Sequence, residues 1–224
     1  MSNYCLYSCH IFVNFCFIYS KKGNLIHNQE DNIKQIRFFA FISRIVRRIF
    51  MMKLYTTSGS MDFMESIRKK YPNETMVVMH GAGNSILIHE TEGKSTFQTP
   101  HTYMVLDGAG PLKEEGFFAL NYIPTSDEGR PIFEHWLLRR ANLIATQKGL
   151  ISYRILRPEA SNTYVIMTQW TGKFFFESWQ DTPSYHEVIA EGEKGAGLHK
   201  QPHMFASAPY VATYKVNKDD YDHN

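Results

Sequence analysis

This 224-residue chain has few cysteines: Cys5, Cys9 and Cys16, all near the start. The rest of the sequence has no thiol, which excludes disulfides, cysteine-ligated zinc and a cysteine nucleophile there. Long apolar runs are also lacking, because no stretch reaches the ~18 apolar residues that a membrane-spanning helix needs. The composition, 43% apolar and 21% charged, is that of a folded protein with a core.

A strong excess of positive charge is lacking too. The net charge of +2 argues against a nucleic-acid partner, whose binding surface is usually much more basic. The charge is unevenly spread, with a net of +5 in residues 1–50 and −3 in residues 51–224. The first fifty residues therefore differ from the main body.

Residues 1–51 are predicted to be an extension, either disordered or upstream of a true start at Met51 or Met52. The apolar stretch 5–19 has no preceding Lys or Arg and no small-residue cleavage site, which argues against a signal peptide. Residues 33–50 have the pattern of a basic amphipathic helix, which could lie on an anionic membrane surface. We therefore expect a cytoplasmic protein whose membrane association, if any, comes through this extension.

The first part of the body, residues 52–110, has the pattern of an α+β half. The spacing predicts a βαββ order, with a further short strand at 95–98 and an ambiguous segment at 103–106. Gly108–Pro111 is the clearest boundary in the chain, because flexible glycines and a proline separate two periodic segments.

The second part, residues 111–215, is followed by a polar tail at 216–224. It predicts the order β-α-β-β-α-β, which is the ferredoxin-like pattern. The predicted elements are strands at 117–124, 152–157, 163–170 and 203–215, one long helix at 126–147, and shorter helices at 171–179 and 182–191.

Neither face of the strand Tyr164–Trp170 is cleanly polar, so both faces should be covered. A second sheet would be the natural cover on one side. It could come from a second copy of the chain or from residues 52–110. We favour the second alternative, an N-terminal βαββ half that completes a barrel within one chain, and hence a monomer.

Several segments together point to one family. A first group is Phe117–Ile123, Arg154–Pro158, Tyr164–Trp170 and Phe176–Trp179. A second group is Lys53–Tyr55, Ile86–Thr91 and Phe97–His101 of the first half, together with Gly129–Pro131. The first group resembles the antibiotic biosynthesis monooxygenase (ABM) domain, of the dimeric α+β barrel type. The second group is similar to the branch that holds HmoB-like haem-degrading monooxygenases and TRAP-like signal transduction proteins. The resemblance covers about residues 52–214.

The resemblance implies a haem-degrading monooxygenase, with haem as both cofactor and substrate, and with O2 and an external electron donor such as a reductase. Its haem site uses an Asn, a Trp and a His, and Asn121 and Trp179 match the first two. The His position is Ile189, which cannot bind iron. His186 lies three residues earlier and would share a helix face with Ile189, so His186 is the expected iron ligand.

Each of these residues also has an ordinary structural interpretation. Trp179, four residues after Phe175, fits a core stripe, and His186 fits an exposed position near a helix start. Asn121 is harder to explain this way, because a buried amide without a partner costs roughly 1–3 kcal/mol. The alternative function is a TRAP-like regulatory protein without turnover, which the missing His at position 189 favours.

The remaining histidines are weaker candidates for an iron ligand. His199 and His203 rank below His186, and the others lack the spacing of a metal site. These others are His80, His89 and His101.

Overall fold

The structure is a computed structural model that describes residues 52–190 and 206–216. The extension 1–51 with its predicted amphipathic helix, His199, His203 and most of the polar tail lie outside the described residues. All the described residues belong to one structural unit.

Eight strands and five α-helices make up the described fold. The strands are β1 (Lys53–Gly59), β2 (Thr75–His80), β3 (Ser85–Thr91), β4 (His101–Ala109), β5 (Phe117–Pro124), β6 (Leu150–Pro158), β7 (Thr163–Trp170) and β8 (Tyr210–Lys215). The α-helices are α1 (Met61–Lys70), α2 (Arg130–Leu138), α3 (Ala141–Ala145), α4 (Lys173–Gln180) and α5 (Pro183–Tyr185). A π-helical turn, His186–Ala190, follows α5 directly.

The strands form one closed antiparallel barrel in the order β1-β3-β2-β8-β5-β7-β6-β4. Strands β1 to β4 and strands β5 to β8 each supply half of it. The halves join where β4 pairs along β6 and where β2 meets β8 at the single pair His80↔Lys215. The predicted ferredoxin-like α+β fold, with the N-terminal half completing the barrel within one chain, is confirmed.

The protein has one hydrophobic core inside the barrel and another between the barrel and the helices of the C-terminal half. Successive side chains of β5 point alternately into these two cores. Phe118 and Leu120 point into the barrel, whereas Phe117, Ala119 and Ile123 point outward beneath the helices α2 to α5. Strand β7 alternates in the same way, which explains why the sequence is apolar on both of its faces. The strand that carries Asn121 is therefore buried on both sides.

Among the described residues, a single helix covers the N-terminal half. Helix α1 packs on β2 and β3 through a small cluster made of Met64, Met76, Val78 and Leu87. The C-terminal half carries the other helices that the structure describes. The two outer faces of the barrel are thus unequal.

Some predicted boundaries are wrong. Residues 95–98 form an irregular, bent segment and not a strand, whereas 103–106 belong to β4, which continues to Ala109. The predicted helix 126–147 is two helices, because the Arg140 N–H bonds to the Leu137 carbonyl in a tighter turn and interrupts the α-helical ladder.

The C-terminal elements also differ from the prediction. The last strand begins at Tyr210, and not at 203, as far as the described residues show. The predicted helix 182–191 is a single α-helical turn followed by the π-helical turn. Within residues 52–190 and 206–216, no helix combines the length and apolarity needed to cross a membrane.

Candidate functional site

Asn121 lies in the middle of β5, on the outward face beneath the helices, with Ile166 of β7 and Val211 of β8 as its strand neighbours. Asn121 is buried, with only 1% of its surface exposed. The Oδ1 atom accepts a hydrogen bond from the Tyr185 hydroxyl at 3.2 Å, and the Nδ2 atom has no partner among the described residues. Exchanging the amide oxygen and nitrogen would still leave one of them unpaired.

An unpaired amide in this position is unfavourable for the free protein. A buried donor without an acceptor costs about 1–3 kcal/mol. Such groups in native proteins need an explanation, and a binding site is one of them. Asn121 therefore has a free hydrogen-bonding atom inside the layer between helices and sheet.

Tyr185 is placed against Asn121 by a short, well-defined turn. Pro183 starts α5, and the Thr182 hydroxyl accepts a hydrogen bond from the Tyr185 backbone N–H at 3.3 Å. Burial raises the pKa of the Tyr185 hydroxyl above its ordinary value. The phenol therefore stays protonated at neutral pH and can donate to Asn121.

Trp179 closes the same cluster from α4. It is 2% exposed, and its ring packs 5.3 Å from that of Trp170 and 5.0 Å, edge-on, from that of Tyr185. Its Nε1 atom donates to the Ser184 hydroxyl at 3.1 Å. Trp179 is thus a core residue, and it is also joined to Asn121 through Tyr185.

His186 and Ile189 do not share a face, contrary to the expectation. His186 is exposed, whereas Ile189 is 5% exposed and packs in the core beneath the helices. The reason is the π-helical turn, whose i→i+5 bonding puts more residues in each turn than an α-helix has. Three residues therefore fall further short of a full turn, and the two side chains face different directions. The His186 ring lies 6.0 Å from the Tyr185 ring, at the solvent side of the cluster.

Comparison with known proteins agrees with this architecture. Residues 116–191 match the family model of the antibiotic biosynthesis monooxygenases. This part of the chain is an ABM domain. Asn121, Trp179, Tyr185 and His186 all fall inside it.

Two kinds of relative are similar to the chain. A "Signal transduction protein TRAP" of Staphylococcus epidermidis is 29% identical over 140 residues, covering 62% of this chain and 84% of that protein. A "Heme-degrading monooxygenase" of Listeria monocytogenes is 26% identical over 138 residues, covering 62% of this chain and 83% of that protein.

Solved structures extend the likeness to the whole barrel. A major regulator of staphylococcal pathogenesis has a TM-score of 0.64 at 22% identity, covering 74% of this chain and 99% of that one. The heme-degrading enzyme LmHde of Listeria monocytogenes has a TM-score of 0.57 at 21% identity, covering 73% and 98%. At these identities the likeness shows the shared fold alone.

Within the ABM domain, the structure brings Asn121 and Trp179 together and leaves His186 at the edge. Tyr185, which contacts all three, is the residue that the sequence does not single out. The described residues contain no group of three or more His, Cys, Asp or Glu side chains that could hold a metal ion. His199 and His203 lie outside the described residues.

The histidines of the first half have local partners or lie at the surface. His80 Nδ1 is hydrogen-bonded with the Ser85 hydroxyl at 2.9 Å, and His89 Nε2 with Glu74 at 2.9 Å. His101 is exposed on β4. They provide no alternative site next to Asn121.

Proposed function

We propose that the ABM domain binds haem and opens its ring oxidatively, with release of iron. The observation that carries the proposal is the unpaired, buried amide atom of Asn121 in the layer between helices and sheet. The "Heme-degrading monooxygenase" of Listeria monocytogenes, which covers 62% of the chain, supports it. Haem would be both cofactor and substrate, with O2 and electrons from an external donor such as a reductase.

The side chains around Asn121 fit haem in part. The Asn121 Nδ2–H can donate to an oxygen acceptor, and the Trp179 indole is a bulky, flat surface that can press on a macrocycle. When bound, haem supplies the iron that activates dioxygen and the ring that is oxidised. Tyr185 contacts both Asn121 and Trp179, so its side chain has to move when a ligand reaches Asn121.

His186 is the iron ligand that we propose. Ile189, at the position of the family histidine, has no atom that can bind iron, whereas the His186 imidazole is exposed beside Tyr185. Ligation requires a neutral imidazole with a free ring nitrogen. No hydrogen bond to either ring nitrogen is found among the described residues, so both are open to a ligand.

The test is a haemin titration of the purified full chain, followed by ascorbate. The wild type should show the Soret band of a histidine-ligated ferric haem and lose it on reduction in air. His186→Ala should lose the ligated band, and Asn121→Ala should keep it but fail to open the ring. His101→Ala removes an exposed histidine from β4 and is the matched control.

A second candidate is a TRAP-like signal transduction or regulatory role without turnover. Two observations favour it: Ile189 is buried in the core, and Tyr185 occupies the hydrogen-bonding position next to Asn121. If the wild type fails to bind haemin at micromolar concentration, or binds it without ring opening, this second function replaces the first.

A further inference from the structure

Two tyrosines from neighbouring strands are stacked at one end of the barrel. Tyr122 of β5 and Tyr210 of β8 lie directly opposite each other in the strand register. Their ring centroids are 4.8 Å apart, and the two ring planes differ by only 12°. Between described residues, no other two tyrosine rings make such a contact. Both side chains lie on the inner face of the sheet, opposite to that of Asn121, so the pair is separate from the proposed haem site.

Solvent reaches this pair from the end of the barrel. Tyr210 is 58% exposed, whereas Tyr122 is half-buried against the core inside the barrel. Neither hydroxyl is hydrogen-bonded to a described residue, and neither is closed off from solvent. Burial raises the pKa of the Tyr122 hydroxyl above its ordinary value, and the nearby Tyr214 and Tyr103 act in the same direction. Because Tyr210 is the more exposed ring, an oxidant from solvent meets it first.

The strand that carries Tyr210 is held unequally along its length. Strand β8 pairs with β5 continuously, from Tyr122↔Tyr210 to Phe117↔Lys215. On its other side, the described residues give β8 a single pair with β2, His80↔Lys215, at the far end of the strand. The Tyr210 end of β8 is therefore bonded to one neighbouring strand only, within the part of the chain that the structure describes. A covalent link between the two stacked rings would fasten this end.

We propose that Tyr122 and Tyr210 form a site of oxidative cross-linking, at which one-electron oxidants join the two rings as dityrosine and lock β8 to β5. Each phenol loses one electron and its hydroxyl proton, and the two phenoxyl radicals form a carbon–carbon bond between ring positions next to the oxygens. The two hydrogens at those positions then move to the oxygens and restore both hydroxyls. The net loss is two electrons and two protons, which one molecule of hydrogen peroxide accepts to give two of water.

Treating the full chain with hydrogen peroxide and a peroxidase, without added haemin, tests the proposal independently of haem binding. At low protein concentration, where chains seldom meet, we expect dityrosine fluorescence in a single-chain product, which has the mass of one chain less two hydrogens. A tryptic digest of this product should contain a cross-linked peptide that joins β5 to β8. Dityrosine found only in covalent dimers, or only between other tyrosines, would overturn the proposal.

Three single substitutions identify the rings that react. Tyr122→Phe and Tyr210→Phe should each abolish the cross-linked β5–β8 peptide, because phenylalanine has no hydroxyl proton to lose and forms no phenoxyl radical. Tyr103→Phe is the matched control, since Tyr103 packs against the same inner core and lies near Tyr210 but is not part of the stacked pair. This control should keep the peptide. Its loss in Tyr103→Phe, or its survival in Tyr210→Phe, would contradict the assignment.

Cross-linking should also stabilise the fold, because a covalent link between distant parts of the sequence restricts the unfolded chain. The urea midpoint of oxidised wild type should lie about 1 M or more above that of the untreated protein. Oxidised Tyr210→Phe should show no such rise, and it controls for oxidation of other side chains. A cross-linked wild type whose midpoint is unchanged or lower would overturn the proposal that the link locks β8 to β5.

Discussion

Replacing Asn121 by leucine should stabilise the free protein while abolishing ring opening. Leucine has nearly the same shape, so no large cavity forms. The change removes the unpaired Nδ2 donor, worth about 1–3 kcal/mol, and sacrifices the single bond from Tyr185, worth about 0.5–1.5 kcal/mol. The difference is a gain of about 1 kcal/mol.

Gln169 is a matched control, because it is also a fully buried amide on a strand of the same barrel. Its Oε1 accepts from the Lys113 N–H at 3.2 Å and the Ser152 hydroxyl at 3.0 Å. Its Nε2 donates to the carbonyls of Lys113 and Glu115, both at 2.8 Å. At about 1 kcal/mol for each bond, Gln169→Met should cost about 4 kcal/mol.

Urea unfolding of wild type and both variants measures these effects. With a slope of about 2 kcal/mol/M, a gain of about 1 kcal/mol moves the midpoint up by about 0.5 M. Asn121→Leu should show this shift, and Gln169→Met a larger one in the opposite direction. A loss of more than about 1 kcal/mol for Asn121→Leu would refute the reasoning, because the amide would then be satisfied in the free protein.

Four further substitutions and one measurement of mass test other parts of the structure. Arg154→Met should lose about 3–5 kcal/mol in urea unfolding because it strands the buried Glu90 carboxylate, and adding Glu90→Gln should restore much of the loss. Burial raises the pKa of the Tyr153 hydroxyl to about 12, so the unfolded state ionises first, and unfolding free energy should fall from about pH 10 to about pH 12. Tyr153→Phe should flatten that fall, and an unchanged pH profile would contradict this assignment. Trp179→Ala should lose about 3–5 kcal/mol in urea unfolding, so a variant as stable as wild type would show that the indole is not a core residue. Sedimentation should give a mass near 26.0 kDa, since the barrel closes within one chain, and a value near twice that would contradict a monomer.

The sequence predicts the barrel well because its strands are short apolar runs separated by turns that carry glycine and proline, and because neither face of Tyr164–Trp170 is cleanly polar. It does not predict the break between α2 and α3. The residues around Arg139 and Arg140 are good helix formers, so local preference favours one continuous helix. The observed break accompanies the packing of Arg140 on Trp136, four residues earlier. The same two residues would be neighbours in a continuous helix, so the local sequence does not distinguish the two arrangements.

The candidate site could likewise be predicted only in part from the sequence. The apolar neighbours of Asn121 are enough to predict a buried amide. The contact with Tyr185 joins residues 64 positions apart, so it depends on the fold and not on the local sequence. The helix-face argument for His186 fails for a different reason: it assumes α-helical geometry, whereas the chain takes a π-helical turn there.

The closure of the barrel by two unlike halves has a consequence for the number of ligand sites in each barrel. A barrel made of two identical chains carries every residue twice, so each substitution alters two sites and each ligand has two places to bind. In this chain each residue occurs once per barrel, and only the C-terminal half carries Asn121 with its covering helices. The expected stoichiometry at Asn121 is therefore one ligand per barrel.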